Sequence, residues 1–108
     1  MVAFEMFVQE GCVPEDLRPG IAAAVEGICL DVLGAGDVSI EWTVVARGYG
    51  FRGGKPSTTS LVRGRIPDGC DRGTRARFLM GIADAWRRIT GAAEDEVIVS
   101  GRDWSWAG

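Results

Sequence analysis

The sequence predicts an α+β fold of βαββαβ order: two pseudo-symmetric βαβ units forming one four-stranded sheet with two helices on one face. Three observations predict it. Short apolar, β-prone runs alternate with two longer segments whose apolar residues recur at helical spacing. The order strand–helix–strand occurs twice. The two helical segments also match at a constant offset: Gly20-Ile21-Ala22-Ala23-Ala24 with Ile28 against Gly81-Ile82-Ala83-Asp84-Ala85 with Ile89. An acid-Val step opens the next strand in each unit, at Asp37-Val38 and at Glu96-Val97.

The first strand is Val2 to Gln9, stopped by Glu10-Gly11. Pro14 with Glu15 and Asp16 opens the first helix, since proline and acidic residues suit a first turn. Leu17, Ile21, Val25, Ile28 and Val32 form its apolar stripe, and Gly34 is its expected C-cap. Pro19-Gly20 conflicts with an ideal helix, because proline there cannot donate to Glu15; a kink or a tightened first turn is expected.

Val38 to Ala46 is the second strand, apolar on both sides and therefore central. Gly48 to Thr58 reads as a loop, Thr59 to Ile66 as the third strand, and Pro67-Asp68-Gly69 as its stop. The second helix runs from about Asp71 to Thr90, with Phe78, Ile82, Ala85, Trp86 and Ile89 on one stripe. Glu96 to Ser100 is the fourth strand. Residues 101–108 form a short aromatic tail. The chain thus reads as one domain over 1–108, with unit one about 1–46 and unit two about 59–100. Trp42 and Val44 lie on one side of their strand and Thr43 and Val45 on the other. Both faces of the sheet are therefore expected to be apolar, and the uncovered one calls for an oligomer.

Composition narrows the function. The chain has 108 residues, 46% of them hydrophobic and 25% charged, as in an ordinary globular domain. It contains no histidine, which removes Ser-His-Asp and Cys-His catalysis and most zinc and iron sites. No metal site is expected. The net charge of −3 argues against a nucleic-acid partner. Cys12, Cys29 and Cys70 are odd in number and widely spaced, which favours reduced thiols in a cytoplasmic protein over a disulfide framework. The opening residues have no basic n-region, and Glu26 and Asp31 interrupt the longest apolar stretch, so neither a signal peptide nor a membrane span is expected.

Four short motifs carry chemistry. Gly48-Tyr49-Gly50-Phe51-Arg52-Gly53 fits G-x-G-x-x-G, but a strand follows it where a dinucleotide site needs a helix. It reads as a flexible loop beside a site. Arg63-Gly64-Arg65 holds two guanidiniums on one side of a strand, a geometry suited to a carboxylate; a solvated edge or an intersubunit salt bridge is the alternative. Trp104 and Trp106 put two indoles on one side of an extended tail, as an apolar wall or as a subunit anchor. Asp37 alone reads as a strand-start residue.

Taken in order along the chain, these residues resemble the tautomerase superfamily, most of all its malonate semialdehyde decarboxylase-like members. The resemblance rests on the strand ending Glu10-Gly11, the Gly48-Tyr49-Gly50 loop, the Arg63-Gly64-Arg65 strand and the Asp103-Trp104-Ser105-Trp106 tail. It implies a trimer that acts on small keto or unsaturated carboxylates without metal or organic cofactor. It further implies that Arg63 and Arg65 bind the substrate carboxylate, that Asp37 serves as general base or orients water, and that Trp104 and Trp106 wall the pocket. The family's catalytic group is an amino-terminal proline, and Val2 stands in its place. With Met1 removed, Val2 offers a primary amine of ordinary pKa near ~7.7–8. With Met1 retained, the amine moves to Met1, one residue or about 3.8 Å away. Two functions follow: an enzyme with weak or altered decarboxylase, tautomerase or hydratase activity, or a non-catalytic carboxylate-binding or interaction protein.

Overall fold

The computed structural model describes residues 1–106. Strand β1 is Val2–Gln9, and its alternation buries Val2, Phe4, Met6 and Val8 while Ala3, Glu5, Phe7 and Gln9 face outward. The first helical region has three parts. A 3-10 turn covers Glu15–Leu17, helix α1 covers Arg18–Ile28, and a π turn covers Cys29–Leu33. The tightened turn resolves the proline conflict: the α-helix proper begins at Arg18, so Pro19 falls in its first turn, where no N–H is needed. Gly34 ends the region in the left-handed conformation, with φ of 66°.

Strand β2 is Val38–Val45. Residues 48–58 are not a plain loop. Phe51–Arg52 (β3) and Lys55–Pro56 (β4) pair as an antiparallel hairpin. Its Gly53-Gly54 corner has φ of 59° and 82°, the doubly left-handed turn that glycine allows. A strand does follow Gly50, so no helix N-terminus meets this glycine motif. Strand β5 is Ser60–Ile66 and helix α2 is Arg72–Thr90, capped by Asp71, whose side chain accepts a hydrogen bond from the Thr74 N–H. Strand β6 is Val97–Asp103, three residues longer at its end than the sequence predicts.

The sheet order is β2-β1-β5-β6, so β2 is an edge strand rather than the central one its apolar run predicts; its apolar residues Ile40 and Trp42 pack on the helix side only, in register with Phe4 and Met6. The outer pairs are parallel and the central β1–β5 pair is antiparallel, which is what two βαβ units placed side by side produce. Both helices cover one face. Ile21 and Val25 of α1 and Phe78, Ile82 and Trp86 of α2 are buried against Phe4, Met6 and Val62. Phe78 packs on Phe4 at 6.1 Å between ring centroids, and Trp86 stacks on Trp42 at 6.0 Å. Gly64 is required by this core: a Cβ there would lie 2.6 Å from Phe4 Cε1.

The second face differs from the apolar surface that the sequence predicts. Trp42 lies in register with Met6, on the helix side. The open face carries Ser39, Glu41 and Thr43 on β2, Glu5 on β1, Arg63 and Arg65 on β5 and Arg102 on β6, with Ala3, Phe7, Val45, Leu61 and Ile98 between them. Its charge is segregated: acids on β2 and β1, arginines on β5 and β6. No helix among the described residues is long and apolar enough to cross a membrane.

Candidate functional site

The N-terminal end of β1 meets three segments. On one side, the Val2 N–H donates to the Asp37 carbonyl at 2.9 Å, just before β2. On the other, Ala3 is the register partner of Arg65 in β5. Beyond β5 lies the end of β6, where Trp104 N–H donates to the Ile66 carbonyl at 2.8 Å.

The residues singled out from sequence divide across this end. Val2 is fully buried on the helix side. Its nitrogen is spent on the sheet ladder. Met1 is 54% exposed and, by alternation from Ala3, falls on the same side as Arg65. Asp37 contributes its backbone carbonyl to Val2, and its side chain is exposed. Arg65 lies over the Trp104 indole at 4.5 Å and donates from Nη2 to the Trp104 carbonyl at 2.6 Å. Arg63 is further along the strand, opposite Glu5, with its guanidinium 5.9 Å from the Phe7 ring.

The tail is not extended. The Trp106 N–H turns back to the Asp103 carbonyl at 3.1 Å, which separates the two indoles. Trp104 stays with Arg65. Trp106 lines a cavity of about 300 Å³ together with Arg75, Gly101, Arg102 and Asp103. The turn is pinned by Asp68, whose carboxylate accepts from the Ser105 N–H at 3.0 Å. Hydrogen bonds from Ser105, side chain first and then backbone, hold the Asp68 carboxyl below its usual range. Arg75 of α2 locks the same corner. It pairs with the Asp103 carboxylate and donates to the carbonyls of Gly101 and Cys70.

A second cavity of about 250 Å³ lies under this end of the sheet, between Val32 and Leu33 of the π turn and residues 67–71. Among the described residues no group of acidic, cysteine or histidine side chains could hold a metal ion.

Sequence reading missed Asp68, Arg75 and Arg102. Asp68 reads as turn punctuation, and Arg75 as a solvated helix residue. Arg102 lies beyond the predicted end of the fourth strand. The available signal was the strand alternation of β6, once it is continued through Gly101. A Cβ at Gly101 would approach Leu79 Cδ2 to 3.0 Å, so any larger residue would press on that side chain.

The sheet order, the two helices on one face and the paired βαβ units are a fold shared with solved 4-OT and cis-3-chloroacrylic acid dehalogenase family structures. The native Ps01740 crystal structure superimposes with a TM-score of 0.89 at 27% identity, covering 94% of this chain and 92% of that one. A fused 4-OT symmetric trimer gives a TM-score of 0.83 at 17% identity, over 94% of this chain and 84% of that one. N1, a member of the cis-3-chloroacrylic acid dehalogenase family, gives 0.87 at 14% identity, over 94% and 73%. No family model matches the chain, and no curated protein matches it.

Proposed function

We propose that this chain is a cytoplasmic tautomerase-superfamily protein, related to its malonate semialdehyde decarboxylase-like members. It assembles as a homotrimer and binds a small keto or unsaturated carboxylate through Arg65 and Arg63, with Trp104 and Trp106 as apolar walls. It is a weak or altered decarboxylase, tautomerase or hydratase that uses no cofactor. The observation that carries the reading is the hydrogen bond from the Val2 N–H to the Asp37 carbonyl. It fixes the position-2 nitrogen beside Asp37; with Met1 in place that nitrogen is an amide, with no basicity to polarise a carbonyl or shuttle a proton, and the amine lies one residue out, on the exposed Met1.

The anion-binding half of the site keeps what it needs. Arg65 lies 4.5 Å over the Trp104 ring and spends only Nη2 on its carbonyl, which leaves the rest of its guanidinium fork for a carboxylate. The fused 4-OT structure that shares this fold is a symmetric trimer, which supports the homotrimer. A second reading, a carboxylate-binding protein without turnover, follows from the same hydrogen bond if the Met1 amine never reaches the substrate.

The test is turnover beside binding. Wild-type protein, its Met1 verified by intact mass, is incubated with pyruvate and with malonate semialdehyde and followed by proton NMR. Slow turnover with measurable binding supports the first reading and binding alone the second. Absence of binding refutes both.

A further inference from the structure

The arginine cluster of the open face is larger than the Arg63-Gly64-Arg65 motif. Arg102 is the register partner of Arg65 in the parallel β5–β6 ladder, so the two residues stand side by side on the same face. Like charges directly opposite each other across a ladder destabilise it. Among the described residues no carboxylate pairs with either guanidinium. Arg102 makes no hydrogen bond or ion pair among the described residues, and the Nε atoms of both Arg65 and Arg102 are buried without a partner. The neighbouring Asp103 carboxylate points to the helix side and is taken by Arg75. Glu41 lies on the far strand β2, and Glu5, on the neighbouring β1, stands opposite Arg63 rather than Arg65.

Arg65 spends one Nη on Trp104, whereas Arg102 spends nothing. Arg102 also lines the cavity with Trp106, while Arg65 packs on Trp104. Two guanidiniums in register, each with a buried Nε that finds no partner and neither paired with an acid among the described residues, match a ligand with two negative groups better than one with a single carboxylate.

We propose that Arg102 is a further substrate-binding residue and that, with Arg65, it selects small dicarboxylates over monocarboxylates. Arg65 takes the carboxylate beside the keto group and Arg102 takes the distal one. This rests on the reading of the Arg65 corner as a carboxylate pocket.

The test uses a matched pair of probes, 2-oxoglutarate and 2-oxopentanoate, which have the same chain length and differ by one terminal carboxylate. Binding to wild type and to Arg102→Gln is measured by isothermal titration, with assembly followed by sedimentation. Wild type is expected to bind 2-oxoglutarate about tenfold or more tightly than 2-oxopentanoate, the effect of one charged hydrogen-bonded contact. Arg102→Gln should abolish that preference and leave 2-oxopentanoate affinity unchanged. Equal affinity of wild type for the two probes, or a preference that survives Arg102→Gln, overturns the proposal while leaving the carboxylate pocket standing. Loss of assembly in Arg102→Gln also overturns it, because Arg102 would then be a subunit contact. If wild type binds neither probe, the carboxylate pocket itself fails.

Discussion

Replacing Val2 with proline, with loss of Met1 confirmed by intact mass, restores a secondary ring amine at the site. The structural cost is small and can be worked out. Val2 is fully buried, and its one polar link is the 2.9 Å hydrogen bond to the Asp37 carbonyl. An amino-terminal proline is a secondary amine that still carries hydrogen, so it can keep this bond; even its complete loss, about 1 kcal/mol net, would shift Tm by only about 4–8 °C for a domain of this size. The variant should therefore remain folded and melt at most a few degrees lower. The chemical gain is larger. Removing Met1 brings the amine back by one residue, about 3.8 Å. A positioned acid–base group contributes about 10²–10⁴-fold. Decarboxylation or tautomerisation of a small keto acid, followed by proton NMR, should rise at least about a hundredfold over Met1-bearing wild type. Borohydride trapping then distinguishes imine from acid–base chemistry. If Met1-bearing wild type already matches the proline variant and borohydride traps no imine, the reasoning is refuted, and catalysis rests on Asp37 and the arginines.

Gly64→Ala should lower Tm clearly, because the new Cβ would meet the buried Phe4 ring at 2.6 Å, an overpacking that costs about 1–3 kcal/mol; an unchanged melting curve would contradict the packing of β5. Asp71 caps α2, and its hydrogen bonds, first from the Thr74 N–H, hold its carboxyl below the usual carboxylate range. A depressed carboxyl adds stability above its unfolded pKa and loses it as pH falls through the folded value. Asp71→Asn keeps a capping oxygen, so its Tm should fall less steeply than that of wild type below about pH 4. Burial, helped by Glu26, pushes the Cys29 thiol up to about 11. At pH 8 a thiol reagent should label the exposed Cys12 first and reach Cys29 only on unfolding, as peptide mass mapping will show.

What the sequence made legible follows its periodicities. The stripe Ile21-Val25-Ile28 and its counterpart Ile82-Trp86-Ile89 mark both helices and their repeat, and Asp71 and Gly34 mark ends that the backbone then adopts. Sequence reading failed where period is short or contacts are remote. The hairpin around Gly53-Gly54 has strands of two residues each, too short to show alternation, and Pro56 reads as a breaker. The open face was expected to be apolar because Trp42 is large and hydrophobic, yet the register with β1 turns it toward Trp86. The parting of Trp104 from Trp106 depends on the Asp68–Ser105 hydrogen bond, between residues 37 apart. Arg102 could join Arg65 only once the β5–β6 register was fixed, since nothing local in Ser100-Gly101-Arg102 announces a partner 37 residues upstream.

The central claim is that the anion pocket persists where the catalytic amine has been displaced. Isothermal titration of pyruvate into Met1-bearing wild type and into Arg65→Ala tests it most directly. The account predicts saturable binding to wild type that weakens about tenfold or more in Arg65→Ala, the loss expected for one charged hydrogen-bonded contact. Binding of equal strength to both proteins, or no binding to wild type, would contradict it.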